Sequence, residues 1–434
     1  MVLDAPDRRR YAMSKASETE RAGEMKVKRW AAALMALMLL CANSAWGETK
    51  KTMFEKEWYL QALKDSVMST GNNARLKNVI ARAQQGEVVT LATIGGSITE
   101  GAGASIYQEC WASRFHVRFR KAYGAENGSN VCLVNAGVGG TASPFGYMRY
   151  QREIVNRVPA EDSDGLPDIV VIEFSVNDWQ EPTGHRCFES MVKEILDAPN
   201  EPVVILLFAV FRNGFNLQDE LKRIGKNYNL MMVSIKDGFY AHIGKELTQE
   251  DFFADEYHPK ALGHRIMTDC LMQAVEDAAA RETDEAPDLD VKPVYGTDFM
   301  GLKTIFGGTE TDEFSVERSG FPGSDSSSYR NQPIGQVCGK NFYHNEKDPM
   351  DPLTVKGVFR KCLVAWKATN SEAFGAADIL IDGKKIMTVK GGEGKWGQSE
   401  VVLVLDEREA GEHTLEIRVT EEGKKFTVTA IGLQ

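Results

Sequence analysis

Between residues 88 and 281 short apolar runs alternate with longer amphipathic stretches. The runs are Val88–Ile94, Val131–Asn135, Ile169–Phe174, Val203–Val210 and Met231–Ile235. Each is nearly continuous and rich in Val and Ile, the pattern of strands buried on both faces. The first ends on Gly95-Gly96 and the second on Gly137, Gly139 and Gly140, while Pro167-Asp168 and Pro202 precede the third and fourth. Cys187–Leu196, Leu217–Tyr228 and Ala261–Arg281 carry helical spacing. Strands alternating with helices predict βαβ units and a parallel sheet, an α/β fold.

The character then changes. Glu282–Pro293 is acidic, holds Pro287 and Pro293, and reads as a linker. Ile379–Val389 folds back on Asp382-Gly383, a strong hairpin signal, and His413–Val419 and Phe426–Ile431 alternate with period two. Residues 296–434 therefore read as an antiparallel β-sandwich domain, preceded by a linker at 284–295 and an α/β domain at 50–283. No internal repeat is visible, and Ser324–Ser328 reads as a short polar loop.

At the N-terminus Lys26, Lys28 and Arg29 precede an apolar run from Trp30 to Cys41, followed by Ala45-Trp46-Gly47. A basic region, a short apolar core and small residues at a cut site describe a signal peptide at 25–47, cleaved near Gly47. The alternative is a short membrane anchor, although the run is short for a bilayer. Leu40 stands where a lipoprotein site at Cys41 would need a small residue. Residues 1–24 are polar and read as an upstream extension, with Met25 the expected start. The mature chain is expected outside the cytoplasm, with no transmembrane span.

The 434-residue chain has a net charge of -11. An acidic chain without a basic stripe speaks against nucleic acid and anionic membrane surfaces, and leaves a neutral substrate such as a sugar open. Cys110, Cys132, Cys187, Cys270, Cys338 and Cys362 follow the cut site, with no C-x-x-C pair. In an exported protein Cys338 and Cys362, which share a domain, are the first candidates for a bridge; buried thiols are the equal alternative.

Four segments carry chemistry, each at the end of an apolar run, where open α/β sheets place their sites. Gly95-Gly96-Ser97-Ile98-Thr99 sets a serine after a strand on a glycine-permitted turn, with a helix expected to follow; an ordinary N-cap serine would look the same. Gly140, in Asn135-Ala136-Gly137-Val138-Gly139-Gly140-Thr141, offers a backbone N–H, or is a plain turn glycine. Asn177, in Ser175-Val176-Asn177-Asp178, offers a neutral amide donor, or is a turn asparagine. Asp255-Glu256-Tyr257-His258 sets a carboxylate three residues before a histidine, so that it can reach Nδ1 and hold the tautomer, or supplies half of a metal site.

In this order the four segments resemble the SGNH (GDSL-like) hydrolase family, whose blocks supply Ser, Gly, Asn and His. The resemblance covers residues 88 to about 278. It implies a flavodoxin-like, three-layer α/β/α hydrolase domain. It implies Ser97 as nucleophile, His258 as base, Asp255 orienting His258, and an oxyanion hole of the Ser97 and Gly140 N–H groups with the Asn177 amide. No metal and no cofactor are implied. Glu173 also fits the family pattern as a supporting residue. Gly96 stands where the family's Gly-Asp-Ser has aspartate, and Ser175 where the third block has glycine; neither removes a reacting group. The Gly-Gly-Ser-Ile-Thr form resembles bacterial polysaccharide deacetylating esterases, some of which carry a sugar-binding β-sandwich. The expected reaction is therefore release of acetyl or another short acyl group from a polysaccharide or oligosaccharide. A lipase or thioesterase on the same site, or an inactive carbohydrate-binding protein, are the alternatives.

Other residues have plainer expectations. His264 is expected in a helix near the site, and His185 without a carboxylate to orient it. Trp111, Trp179, Trp366 and Trp396 are candidate sugar platforms or core residues.

Overall fold

The computed structural model describes residues 52–159, 164–308, 311–327, 331–332, 335–336, 340–394 and 397–434. The expected extension and signal peptide lie outside the described residues, as do Cys338 and Trp396. Two compact units are present, 1–60 and 61–434. In the first, the described residues form a turn, Met53–Glu55, and the start of a helix at Glu57. Among the described residues no helix is long and apolar enough to cross a membrane.

In the second unit six strands form one sheet: β1 (Val67–Thr70), β2 (Val89–Gly95), β3 (Val131–Gly137), β4 (Ile169–Glu173), β5 (Val203–Phe208) and β6 (Met231–Ser234). Their order is β1-β6-β5-β4-β2-β3. β2 to β6 are parallel and β1 is antiparallel at the edge. Every residue of β2, β4, β5 and β6 is buried, as expected for a sheet covered on both faces. β1, a half-exposed Val-Met-Ser-Thr, is too short to leave a periodic signal and was not anticipated.

Helices Ala74–Gln84, Trp111–Tyr123 and Ala261–Ala280 cover one face, and Ser143–Glu153, Arg186–Leu196 and Gln218–Asn227 the other. The helices that follow the neighbouring strands β2 and β4 thus lie on opposite faces. That is a topological switch point, and it opens a crevice beyond the two strand ends.

The C-terminal region is antiparallel. Its strands are β7 (Lys303–Ile305), β8 (Ser315–Glu317), β9 (Asn331–Gln332), β10 (Gly335–Gln336), β11 (Phe342–His344), β12 (Leu353–Ala368), β13 (Ala376–Ile381), β14 (Lys384–Lys390), β15 (Gln398–Val419) and β16 (Phe426–Leu433). β9 and β10 pair alone; the rest run β11-β16-β12-β15-β13-β14, with β7 on β16 and β8 on β12. β12 and β15 pair along their length, with a register shift at Phe359/Lys361. Beyond the shift β12 also pairs with β16, and before it with β8. Long strands that switch partners at a bulge let one sheet fold over its own core, the construction of a sandwich. Asp382 (φ 52) and Gly383 (φ 74) make the expected two-residue turn between β13 and β14.

This sandwich shares a core with the hydrolase. Phe299, Phe306, Leu363, Ala365 and Ala430 belong to the same apolar cluster as Tyr147, Met148, Phe188 and Met191. A side chain at Gly432 would meet Met148 Cγ at 3.3 Å, so β16 lies directly on helix Ser143–Glu153. That helix is covered on both sides, which explains why nine of its residues, Arg149 and Glu153 included, are buried. Arg186 bridges the seam at its edge, pairing with Asp298 and Asp406 at 2.8 Å each. The hydrogen bond from Arg186 holds the Asp406 carboxyl down at about 2.

The acidic stretch read as a linker is fastened down. Asn73 binds it through Glu282 O (2.8 Å) and Asp284 Oδ2 (2.9 Å). Leu289, Val291, Val294 and Tyr295 pack on the shared core. Fully buried Glu189 accepts the N–H groups of Val294, Tyr295 and Gly296 at 2.7, 2.5 and 2.9 Å. A buried carboxylate with this many donors is compensated for its lost water.

Candidate active site

The serine segment is shaped by close approach. A side chain at Gly95 would lie 2.2 Å from Thr99 Oγ1, and one at Gly96 2.4 Å from Asn177 Oδ1. With this backbone the Asn177 amide occupies the space that a side chain at position 96 would need. Ser97 then opens a single helical turn, Ser97–Glu100, shorter than the helix expected there. Its side chain is part-exposed, whereas Ile98 and Thr99 are buried.

His258 reaches it from the loop before helix Ala261–Ala280. Its Nε2 lies 2.9 Å from Ser97 Oγ, and its Nδ1 lies 2.8 and 3.0 Å from the two Asp255 oxygens. Asp255 Oδ1 also accepts the backbone N–H groups of Tyr257 (2.7 Å) and His258 (2.9 Å). Partial burial would raise the Asp255 pKa, but the hydrogen bonds from His258 and these amides outweigh it and hold the group below its ordinary value. With Nδ1–H donating to the Asp255 carboxylate, Nε2 is left as the acceptor facing the serine. Both ring nitrogens are thereby used, and among the described residues no group of three or more His, Cys, Asp or Glu could hold a metal ion.

Gly140 (φ 70) and Asn177 flank Ser97 from the ends of β3 and β4. Gly139 N–H donates to Glu100 Oε2 at 2.5 Å, whereas Gly140 N–H and Asn177 Nδ2 have no protein acceptor among the described residues. The structure thus brings Ser97, His258, Asp255, Gly140 and Asn177 to one crevice at the switch point.

Buried polar groups hold these loops from below. Glu173, at the end of β4, accepts Thr99 Oγ1 at 3.0 Å, and burial lifts its carboxyl to about 8. Asp178 accepts Ser143 N–H at 2.7 Å, tying the asparagine loop to the helix behind Gly140, and burial likewise lifts it to about 8. Arg149, fully buried, donates to Ala136 O (2.5 Å) near the end of β3 and to Gly95 O (3.2 Å), the last carbonyl of β2. His264 donates through Nε2 to Ala102 O (3.0 Å) and accepts Trp111 N–H (3.3 Å), so it joins the loop behind Ser97 to the helix behind His258. Burial lowers His264 to about 4, which keeps the ring neutral for both bonds.

Sequence reasoning missed Arg149, Asp178 and Glu100. Nothing in their spacing marks them, because each is buried or engaged only through contacts from distant strands. One expectation needs correction. A carboxylate does stand by His185: Glu181 Oε1 lies 3.6 Å from its Nδ1, although Glu181 is occupied by Thr183 and the His185 N–H. Of the two alternatives for Trp366 the structure bears out core: it is 9% exposed, with Nε1 bonded to Lys390 O. Trp111 is fully buried as well, whereas Trp179, two residues after Asn177, is 62% exposed. Cys362 is a buried free thiol.

Comparison with known proteins adds to this geometry. The structure matches that of a two-domain esterase (CEX) active on acetylated mannans with a TM-score of 0.73 at 23% identity, over 85% of this chain and 97% of that one. A structure of such an esterase co-crystallized with mannopentaose matches with a TM-score of 0.71 at 24% identity, over the same shares. At this identity the likeness is one of fold, and it spans both the hydrolase and the sandwich. No curated protein sequence matches the chain. Residues 93–266, which hold all four blocks, match the GDSL-like Lipase/Acylhydrolase family.

Proposed function

We propose that the protein is an SGNH-type carboxylic ester hydrolase that removes acetyl groups from an acetylated polysaccharide or its oligosaccharides outside the cytoplasm. The single observation that carries the chemistry is the hydrogen-bonded chain Ser97–His258–Asp255, with 2.9 Å between Ser97 Oγ and His258 Nε2. Ser97 Oγ attacks the acyl carbon while His258 takes its proton. The carbonyl electrons move onto oxygen, which is met by the Ser97 and Gly140 N–H groups and the Asn177 amide. Collapse expels the sugar alkoxide, which takes the proton from His258. Water, deprotonated by His258, then releases the acid and restores Ser97. Asp255 keeps the ring oriented and stabilises its cation.

Two lines support the sugar. The fold match spans the whole two-domain arrangement of an esterase described as active on acetylated mannans. Two exposed aromatics neighbour site residues in the chain: Trp179, two residues after Asn177, and Tyr257, 47% exposed, whose ring lies edge-on to that of His258. Flat apolar rings suit the C–H faces of a pyranose and need no charge, in keeping with an acidic protein acting on a neutral polymer. The sandwich, in this reading, supports the hydrolase as well as any sugar contact of its own. Export rests on the segment 25–47; a secreted chain beginning near Glu48 is expected on N-terminal sequencing.

The test is acetate release from acetylated mannan and xylan, set beside hydrolysis of p-nitrophenyl acetate and octanoate. Acetate from a polysaccharide and preference for the short ester are expected. Preference for octanoate with no acetate from either polymer would assign the site to lipid or thioester chemistry.

A further inference from the structure

We propose that Glu100 is a positioning residue for the oxyanion turn, acting through Gly139 to aim the Gly140 N–H. This rests on the serine-esterase reading above. Glu100 closes the helical turn that Ser97 opens, its N–H bonded to Gly96 O at 3.0 Å. Its carboxylate crosses to the loop after β3 and accepts Gly139 N–H at 2.5 Å. The two segments touch: a side chain at Gly137 would lie 2.1 Å from Glu100 N, and one at Gly139 2.8 Å from Glu100 Oε2 and 3.6 Å from Ser97 Cβ.

The need for an anchor follows from the residues it holds. Gly139-Gly140 is the most conformationally free dipeptide the backbone offers, and Gly140 sits at φ 70. Thr141 Oγ1 donates to Val138 O at 2.7 Å, on the peptide plane whose N–H Glu100 accepts, so that plane is held from both of its edges. Val138 N–H is fixed to Gly95 O at 3.0 Å before it, and Ser143 N–H to Asp178 after it. Between these points Glu100 supplies the one side-chain acceptor on Gly139 among the described residues. Holding the Gly139 N–H fixes one end of the residue whose ψ sets the plane of the Gly140 N–H. A carboxylate this near a developing oxyanion is electrostatically adverse. Its value therefore lies in the hydrogen bond, which an amide oxygen also accepts.

The experiment compares Glu100→Ala, Glu100→Gln and Glu100→Asp in the full-length protein, on p-nitrophenyl acetate, with melting curves for each. Glu100→Ala is expected to lower kcat about 10- to 100-fold, a share of what loss of a whole oxyanion donor costs, with KM within about three-fold. Glu100→Gln keeps the acceptor and is expected to stay within about five-fold of wild type, whereas Glu100→Asp keeps the charge, falls short of Gly139 and is expected to resemble Ala. Inhibition by phenylboronic acid, whose tetrahedral adduct on Ser97 fills the same hole, is expected to weaken in parallel with kcat. Unchanged kcat in Glu100→Ala, a loss confined to KM, or a Gln variant as poor as Asp would overturn the proposal. If Glu100→Ala does not fold, the Gln and Asp pair decides. Failure of a fluorophosphonate to label wild-type Ser97 would instead sink the esterase reading itself.

Discussion

The two β regions are put to opposite uses. The parallel sheet ends in loops whose groups are aimed at a crevice: Ser97 after β2, Gly140 after β3 and Asn177 after β4. The antiparallel region contributes no residue to that set, yet Phe299, Phe306, Leu363 and Ala430 complete the core behind helix Ser143–Glu153. Chemistry is thus concentrated where the chain is part-exposed, and stability where it is sealed. Substitutions in the two regions should separate activity from folding.

The largest separation is expected at the site. Ser97→Ala or His258→Ala is expected to lower kcat by about 10⁴-fold or more while the melting temperature moves by no more than a few degrees. Kinetics and calorimetry on the same samples check it. The converse comes from the seam. Removing residues 296–434 uncovers Tyr147, Met148 and Phe188, and the truncated hydrolase is expected to show no cooperative melt, losing small-ester activity together with polymer activity. A truncated form that melts cooperatively and hydrolyses p-nitrophenyl acetate would make the sandwich a mere targeting module. Within a folded protein, Phe299→Ala is expected to cost about 3–5 kcal/mol of stability, with kcat at low temperature unchanged. Asn177→Ala should act the other way, lowering kcat about 10²- to 10³-fold at near-constant KM and stability.

These contrasts also show what a sequence can carry. The five parallel strands were legible because burial on both faces leaves uninterrupted Val and Ile runs. Three of the four site segments were legible because each strand end must combine a turn residue with a reacting group, and the fourth because Asp255 stands three residues before His258, ahead of a helical stretch. β15 was only half legible: Asp406–Glu412, an exposed polar stretch, breaks the alternation of one continuous strand. The seam was not legible at all. Phe299 and Leu363 look like any core residues, and nothing local shows that their partners lie in the other region. Arg149 was hidden for the same reason, since an arginine on a helix reads as solvent-facing until a second layer covers it.

A smaller effect sharpens the comparison under the site. Glu173 and Asp178 ionise near pH 4 in an unfolded chain but at about 8 when buried here. Between those values the folded state holds more protons, so these groups make stability fall as pH rises from about 4 to about 8. His264, lowered to about 4 by burial, acts oppositely: its contribution is lost as pH falls from about 6.5 toward 4. Glu173→Gln is expected to flatten the decline in melting temperature between pH 6.5 and 8, beyond the His264 window. An equally steep decline in the variant would mean that Glu173 is ionised in the folded protein.

The central claim is that Ser97, activated by His258, is the acylated nucleophile. It is tested most directly by mass spectrometry of the full-length protein treated with a fluorophosphonate. One adduct is expected, on the peptide containing Ser97, blocking acetate release in proportion to its formation and absent from Ser97→Ala and His258→Ala. An adduct on another residue, or unmodified Ser97 in a preparation that still releases acetate, would contradict it.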